Sequence, residues 1–109
     1  MEKYILFFIL FGFSVINPTY AQTPSSVRQV ELKSLLLQDC GSCHGMTMKG
    51  GLGPALTTTA LSDKTEEFLF QTISDGRPTT PMPPWKNILT EDEIMWLVKT
   101  LKQGVSNEK

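Results

Sequence analysis

Cys40-Gly41-Ser42-Cys43-His44 is the stretch that decides how this chain is read. Thiols at i and i+3 and an imidazole at i+4 project to one side of a single helical turn. The chain has two cysteines and one histidine, and all three are here. A disulfide framework and a four-ligand zinc site therefore both lack the residues they need. A thioredoxin-like redox pair requires a strand-helix-strand setting, and no strand pattern of any length occurs in the sequence. Chance occurrence in a surface turn is a poor account of a triad of rare residues.

The chemistry that this spacing does serve is covalent attachment of a c-type haem. Two thiols add across the porphyrin vinyl groups while the imidazole reaches the iron from the same face. The predicted cofactor is one haem c, bonded through Cys40 and Cys43, with His44 on the metal.

Outward from the motif, composition describes one ordinary globular domain. The chain has 109 residues, 40% apolar and 19% charged, with a net charge of -1. Nothing is basic enough to point to nucleic acid. Met1–Lys3 is a short head, Tyr4–Ile16 an apolar run, and Asn17–Ala21 a polar end with Thr19 and Ala21 at small-residue positions. This reads as a secretory signal peptide, residues 1–21, cut after Ala21. The alternative is an uncleaved anchor, for which the run falls short of the roughly 20 residues that span a bilayer. Residues 22–109 are the predicted haem domain. A chain of that size gains only a few kcal/mol from its apolar core, which favours recruiting a large apolar cofactor.

The expected architecture is all-α, a few short helices joined by ordered loops around the haem. Ser25 or Ser26 caps a first helix from Val27 toward Cys40, with Val27, Val30, Leu35 and Leu37 among its apolar positions. Gly45–Thr59 carries too many breakers for a helix and forms a long loop. A second helix starts near Ser62 or Asp63 and stops at Gly76, a residue suited to the left-handed position after a helix. Asp63, Glu66 and Glu67 match the positive end of its dipole. Arg77–Trp85 includes Pro78, Pro81, Pro83 and Pro84 and must be an extended, stiffened loop. Thr90 and Glu93 open the last helix as a capping box. Ile94, Leu97, Val98 and Leu101 line one of its faces, and Lys102 and Gly104 end it. The first and last helices are the natural pair to pack.

A sixth iron ligand separates electron carriage from chemistry on a small molecule, and the candidates are methionines. Met1 leaves with the signal segment, Met46 and Met48 follow His44 too closely to wrap to the other side of the ring, and Met95 lies within the last helix. Met82 remains, in Thr80-Pro81-Met82-Pro83-Pro84-Trp85, where prolines lower the entropy lost in holding the thioether at the metal. A flexible core filler is the plainer role for a lone Met, and the flanking prolines make little sense for it.

Gly51-Leu52-Gly53-Pro54-Ala55-Leu56 can bring a backbone carbonyl, that of Pro54 first, to the second ring nitrogen of His44. An ordinary glycine turn explains the same residues equally well. Arg77 and Trp85 are candidate donors to the haem propionates, against the simpler readings of a solvated Arg and a core Trp. Trp96, Phe68 and Phe70 are core or haem-packing groups. The cluster Glu91, Asp92 and Glu93 is helix-start electrostatics rather than a docking patch.

Taken together, Cys40 to His44 near the N-terminus, the Gly-Pro loop and Met82 before a last helix resemble the class I monohaem cytochromes c over nearly all of residues 22–109. Leu36 to Gly45, Gly50 to Leu56, Asp75-Gly76-Arg77-Pro78 and Thr80 to Trp85 are similar to the NirC-type cytochromes of denitrifying bacteria. The resemblance implies His44 and Met82 as axial ligands, Pro54 as the carbonyl partner of His44, and first and last helices crossing at right angles. It also implies a periplasmic protein encoded with the cytochrome cd-type nitrite reductase, passing electrons to it or helping to mature its d-type haem. One departure stands out. The helix-crossing glycine and aromatic of larger mitochondrial-type members are not evident between Val27 and Leu37.

The function expected is therefore an electron carrier, not an enzyme. Its partners are redox proteins docking transiently, nitrite reductase and a periplasmic or membrane electron donor, through a small interface. Assembly of the reductase or its d-type haem is the alternative. A gas-binding or peroxidatic haem protein needs an open sixth position, and Met82 speaks against it.

Overall fold

A computed structural model of the chain describes residues 12–18 and 20–105. Most of the predicted signal segment, including its head and the start of its apolar run, lies outside the described residues. Helix α1, Ser26–Leu35, begins at Ser25, whose hydroxyl accepts from the Arg28 amide. It runs without a break through one π turn, Leu36–Cys40, into the single turn α2, Gly41–His44. Helix α3 is Glu66–Asp75 and helix α4 is Glu91–Gln103. The described residues contain no strand, in keeping with the all-α expectation.

Helix α4 forms where its sequence places it. Thr90 accepts from the Glu93 amide while the Glu93 carboxylate accepts from the Thr90 amide, so two end donors are satisfied reciprocally. Ile94, Leu97, Val98 and Leu101 are all buried. Leu32 and Leu36 face them, and Leu61, Leu69, Leu89 and Met48 complete the core.

Three expectations need correction. On α1, Val27 and Val30 are each 71% exposed; the buried positions are Leu32 and, in the π turn that follows, Leu36. Leu32 and Leu36 belong to the buried cluster that holds the α4 stripe, and Arg28, on the same i, i+4 row, reaches across to Glu93 at 2.7 Å. The start of α3 is Glu66, not Ser62 or Asp63. Thr57–Lys64 instead curls into turns closed by Leu61 N to Thr57 O at 3.0 Å and Lys64 N to Leu61 O at 3.0 Å. This buries Leu61, and the Lys102 amine from α4 donates to the carbonyls of Leu61 and Lys64. Thr65 then caps α3 by accepting from Phe68 N.

Gly76 ends α3 with the expected positive φ of 67°, but its ψ is −168°, so it is not a left-handed helical residue. The chain leaves α3 extended because the late carbonyls of the helix are taken by a later segment. Trp85 N donates to Ile73 O and Ser74 O at 3.1 and 3.2 Å, and Lys86 N to Ser74 O at 3.2 Å.

Candidate haem site

Cys40 and Cys43 are unpaired and half-buried at the end of the continuous α1–α2 helix. The π turn ends at Cys40, a kind of irregularity frequent at functional sites. Burial, then the charge of Asp39, pushes the Cys40 thiol up to about 11. Before attachment it is therefore a neutral thiol at ordinary pH.

His44 closes α2, and the loop after it folds straight back onto the turn. Gly50 N donates to His44 O at 2.8 Å and Gly53 N to Cys43 O at 2.7 Å. This fold-back places Pro54 O 2.7 Å from His44 Nδ1. With Nδ1–H donating there, the lone pair of the imidazole is on Nε2. The backbone lies so close to the ring that a Cβ on Gly53 would stand 2.8 Å from His44 Cε1 and Nδ1. In the sequence Gly53 is legible only as a loop-former. The Gly-Pro step was the available signal, since close approach of backbone to a ring requires glycine. Met48 was also passed over as core. It is buried, and its carbonyl accepts from Leu56 N at 2.8 Å.

Met82 is half-buried in a loop closed on itself. Arg77 N donates to Met82 O at 3.2 Å, Thr80 Oγ1 to Arg77 O at 2.6 Å, and Met82 N to Thr80 Oγ1 at 3.3 Å. Arg77 contributes its backbone to this loop and its side chain is exposed. Trp85 is half-buried against the core and its amide joins the loop to the end of α3. The structure thus joins Pro54 to His44, and Arg77 and Met82 to each other.

The donor set fits a porphyrin iron. Among the described residues no group of three or more His, Cys, Asp or Glu side chains could hold a bare metal ion. A macrocycle that brings four nitrogens needs only axial donors from the protein, and the chain offers an imidazole with its orientation held by a carbonyl, beside two free thiols.

A helical domain built around a C-x-x-C-H turn of this kind is a c-type cytochrome, with its haem c attached covalently. Residues 28–99 match the family described as Cytochrome C oxidase, cbb3-type, subunit III. The chain belongs to that family of c-type cytochromes, which are electron carriers. It is 57% identical over 81 residues to cytochrome c55X of Pseudomonas aeruginosa, covering 74% of this chain and 68% of the relative. Among solved structures, a c-type cytochrome NirC superposes with a TM-score of 0.72 at 55% identity, covering 73% of this chain and 94% of that one. Dihydro-heme d1 dehydrogenase NirN in complex with DHE matches with a TM-score of 0.62 at 32% identity, over 71% of this chain and 17% of that chain. No described helix is long and apolar enough to cross a membrane.

Proposed function

We propose that residues 22–109, released from a signal segment cut after Ala21, act in the periplasm as a one-electron carrier for the cytochrome cd-type nitrite reductase of denitrification. In this reading His44 Nε2 and Met82 Sδ are the protein donors that would hold the iron. When bound, the haem supplies one-electron iron chemistry. The protein's own part is to keep both donors in place in both oxidation states, so that little rearranges on electron transfer.

The observation that carries the reading is the 2.7 Å contact between His44 Nδ1 and Pro54 O. It orients the ring, selects the tautomer and raises the basicity of the free nitrogen. Likeness to NirC supports the denitrification setting. A near-neutral chain gives little long-range steering, so docking depends on local patches and stays weak.

A second reading, maturation of the d-type haem, is favoured by the likeness to a dihydro-heme d1 dehydrogenase. Three measurements test these readings, the first the ligand and the other two the role. Absorption spectra of the periplasmic protein test for the weak near-infrared band of methionine sulfur on ferric haem, expected in the wild type and lost in Met82→Ala. A band that survives Met82→Ala sinks the ligand assignment. Stopped-flow oxidation by nitrite reductase, faster than by unrelated acceptors, supports the carrier role. A deletion strain with normal electron flow but a reductase lacking d-type haem supports maturation instead.

A further inference from the structure

We infer that Gly76 is the positioning residue for Met82, its backbone holding the Met-Pro-Pro segment at the height above α3 from which the thioether can reach the iron. The inference rests on the reading of Met82 as an iron ligand.

Gly76 is buried, with φ 67° and ψ −168°. That region is essentially closed to residues with a Cβ. A Cβ built there would lie 2.6 Å from Pro83 C, 2.7 Å from Met82 O and 2.7 Å from Pro84 N. All three are backbone atoms, and prolines with fixed φ leave that backbone little freedom to give way. The close approach is thus between residue 76 and the main chain of the ligand segment itself.

Hydrogen bonds make the same segment an arch standing on the end of α3. One foot is the Arg77 N to Met82 O bond at 3.2 Å, directly after Gly76. The other is Trp85 N on the carbonyls of Ile73 and Ser74. Thr80 braces the inside, with its hydroxyl on Arg77 O at 2.6 Å and Met82 N on that hydroxyl at 3.3 Å. With both feet anchored, a side chain at position 76 moves the Met82 carbonyl, and Met82 moves with it.

The test uses the mature haem protein with Gly76→Ala, Gly76→Asn and Met82→Ala. Covalent haem yield and helical circular dichroism report the fold. The ferric near-infrared band and carbon monoxide binding to the ferrous form report the ligand. Gly76→Ala is expected to keep haem and helix, lose the band, and bind carbon monoxide at least about tenfold more tightly than the wild type. Gly76→Asn is expected to behave alike, since asparagine tolerates the left-handed helical region but not ψ near −168°. A Gly76→Ala protein that retains the band and resists carbon monoxide as the wild type does overturns the inference. Loss of the ligand reading is reported separately, by a band that persists in Met82→Ala. Should Gly76→Ala fail to yield haem protein, Thr80→Val decides. Removing this exposed brace is expected to raise carbon monoxide affinity, and an unchanged affinity overturns the inference.

Discussion

Arg28 Nε on α1 donates to Glu93 Oε1 on α4 at 2.7 Å, while Glu93 Oε2 accepts from Thr90 N at 3.0 Å. One carboxylate therefore ties the first helix to the last and caps the last helix as well. The Arg28 hydrogen bond first, then that of the Thr90 amide, holds the Glu93 carboxyl below its ordinary value of 4.5. A carboxyl with a lowered folded value stabilises the protein above its unfolded value, and that stabilisation is lost as pH falls through the folded one. The stability difference between wild type and Glu93→Gln is expected to be full and constant above pH 4.5 and to shrink at lower pH. Denaturant midpoints across an acid series check this, and a difference that grows on acidification contradicts it.

Thr90→Ala removes the hydroxyl that accepts from Glu93 N. Loss of such a cap costs about 1 kcal/mol. Thermal unfolding of the haem protein is expected to show a lower midpoint with an unchanged visible spectrum.

Leu97 is fully buried and Val30 is 71% exposed. Leu97→Ala is expected to cost about 2–5 kcal/mol through lost burial and the cavity left behind. Val30→Ala is expected to stay within about 0.5 kcal/mol. Guanidinium titration distinguishes the two, and a costly Val30→Ala places α1 on the wrong face.

Gly53→Ala puts a methyl group 2.8 Å from the His44 ring. Overpacking of this kind costs about 1–3 kcal/mol. Here the strain falls on the imidazole and its bond to Pro54, so the visible spectrum and reduction potential are expected to shift while Cys40 and Cys43 still attach the haem. A potential equal to wild type argues that the ring is held elsewhere.

Lys102 Nζ lies 3.5 Å from Leu61 O and also donates to Lys64 O. Lys102→Met keeps the apolar stem and removes the donor, so the Thr57–Lys64 turns lose their tie to α4. Faster amide exchange confined to residues 57–65 is expected, with α4 unaffected; uniform loss of protection counts against this role.

The parts of the chain legible from sequence are those governed by neighbours in sequence. Cys40, Cys43 and His44 carry their meaning in their spacing. Thr90 and Glu93 form a capping box wherever a helix starts on them, and the apolar stripe from Ile94 to Leu101 has only one face to bury. Pro78 to Pro84 exclude helix by their own covalent geometry. Position 76 was legible as a glycine with positive φ, but not its ψ, because that angle depends on which amides take the carbonyls of Ile73 and Ser74.

By itself, then, the sequence determined the haem-attachment turn, the helical class and the limits of α4, because local sterics and hydrogen bonding suffice for them. Tertiary structure decided that Leu32 and Leu36 rather than Val27 and Val30 are buried in the core, that α3 waits until Glu66, and that Gly53 and Gly76 press against His44 and the Met82 segment. Each of these turns on atoms far apart in the chain, and close packing admits only the arrangement in which those atoms do not collide.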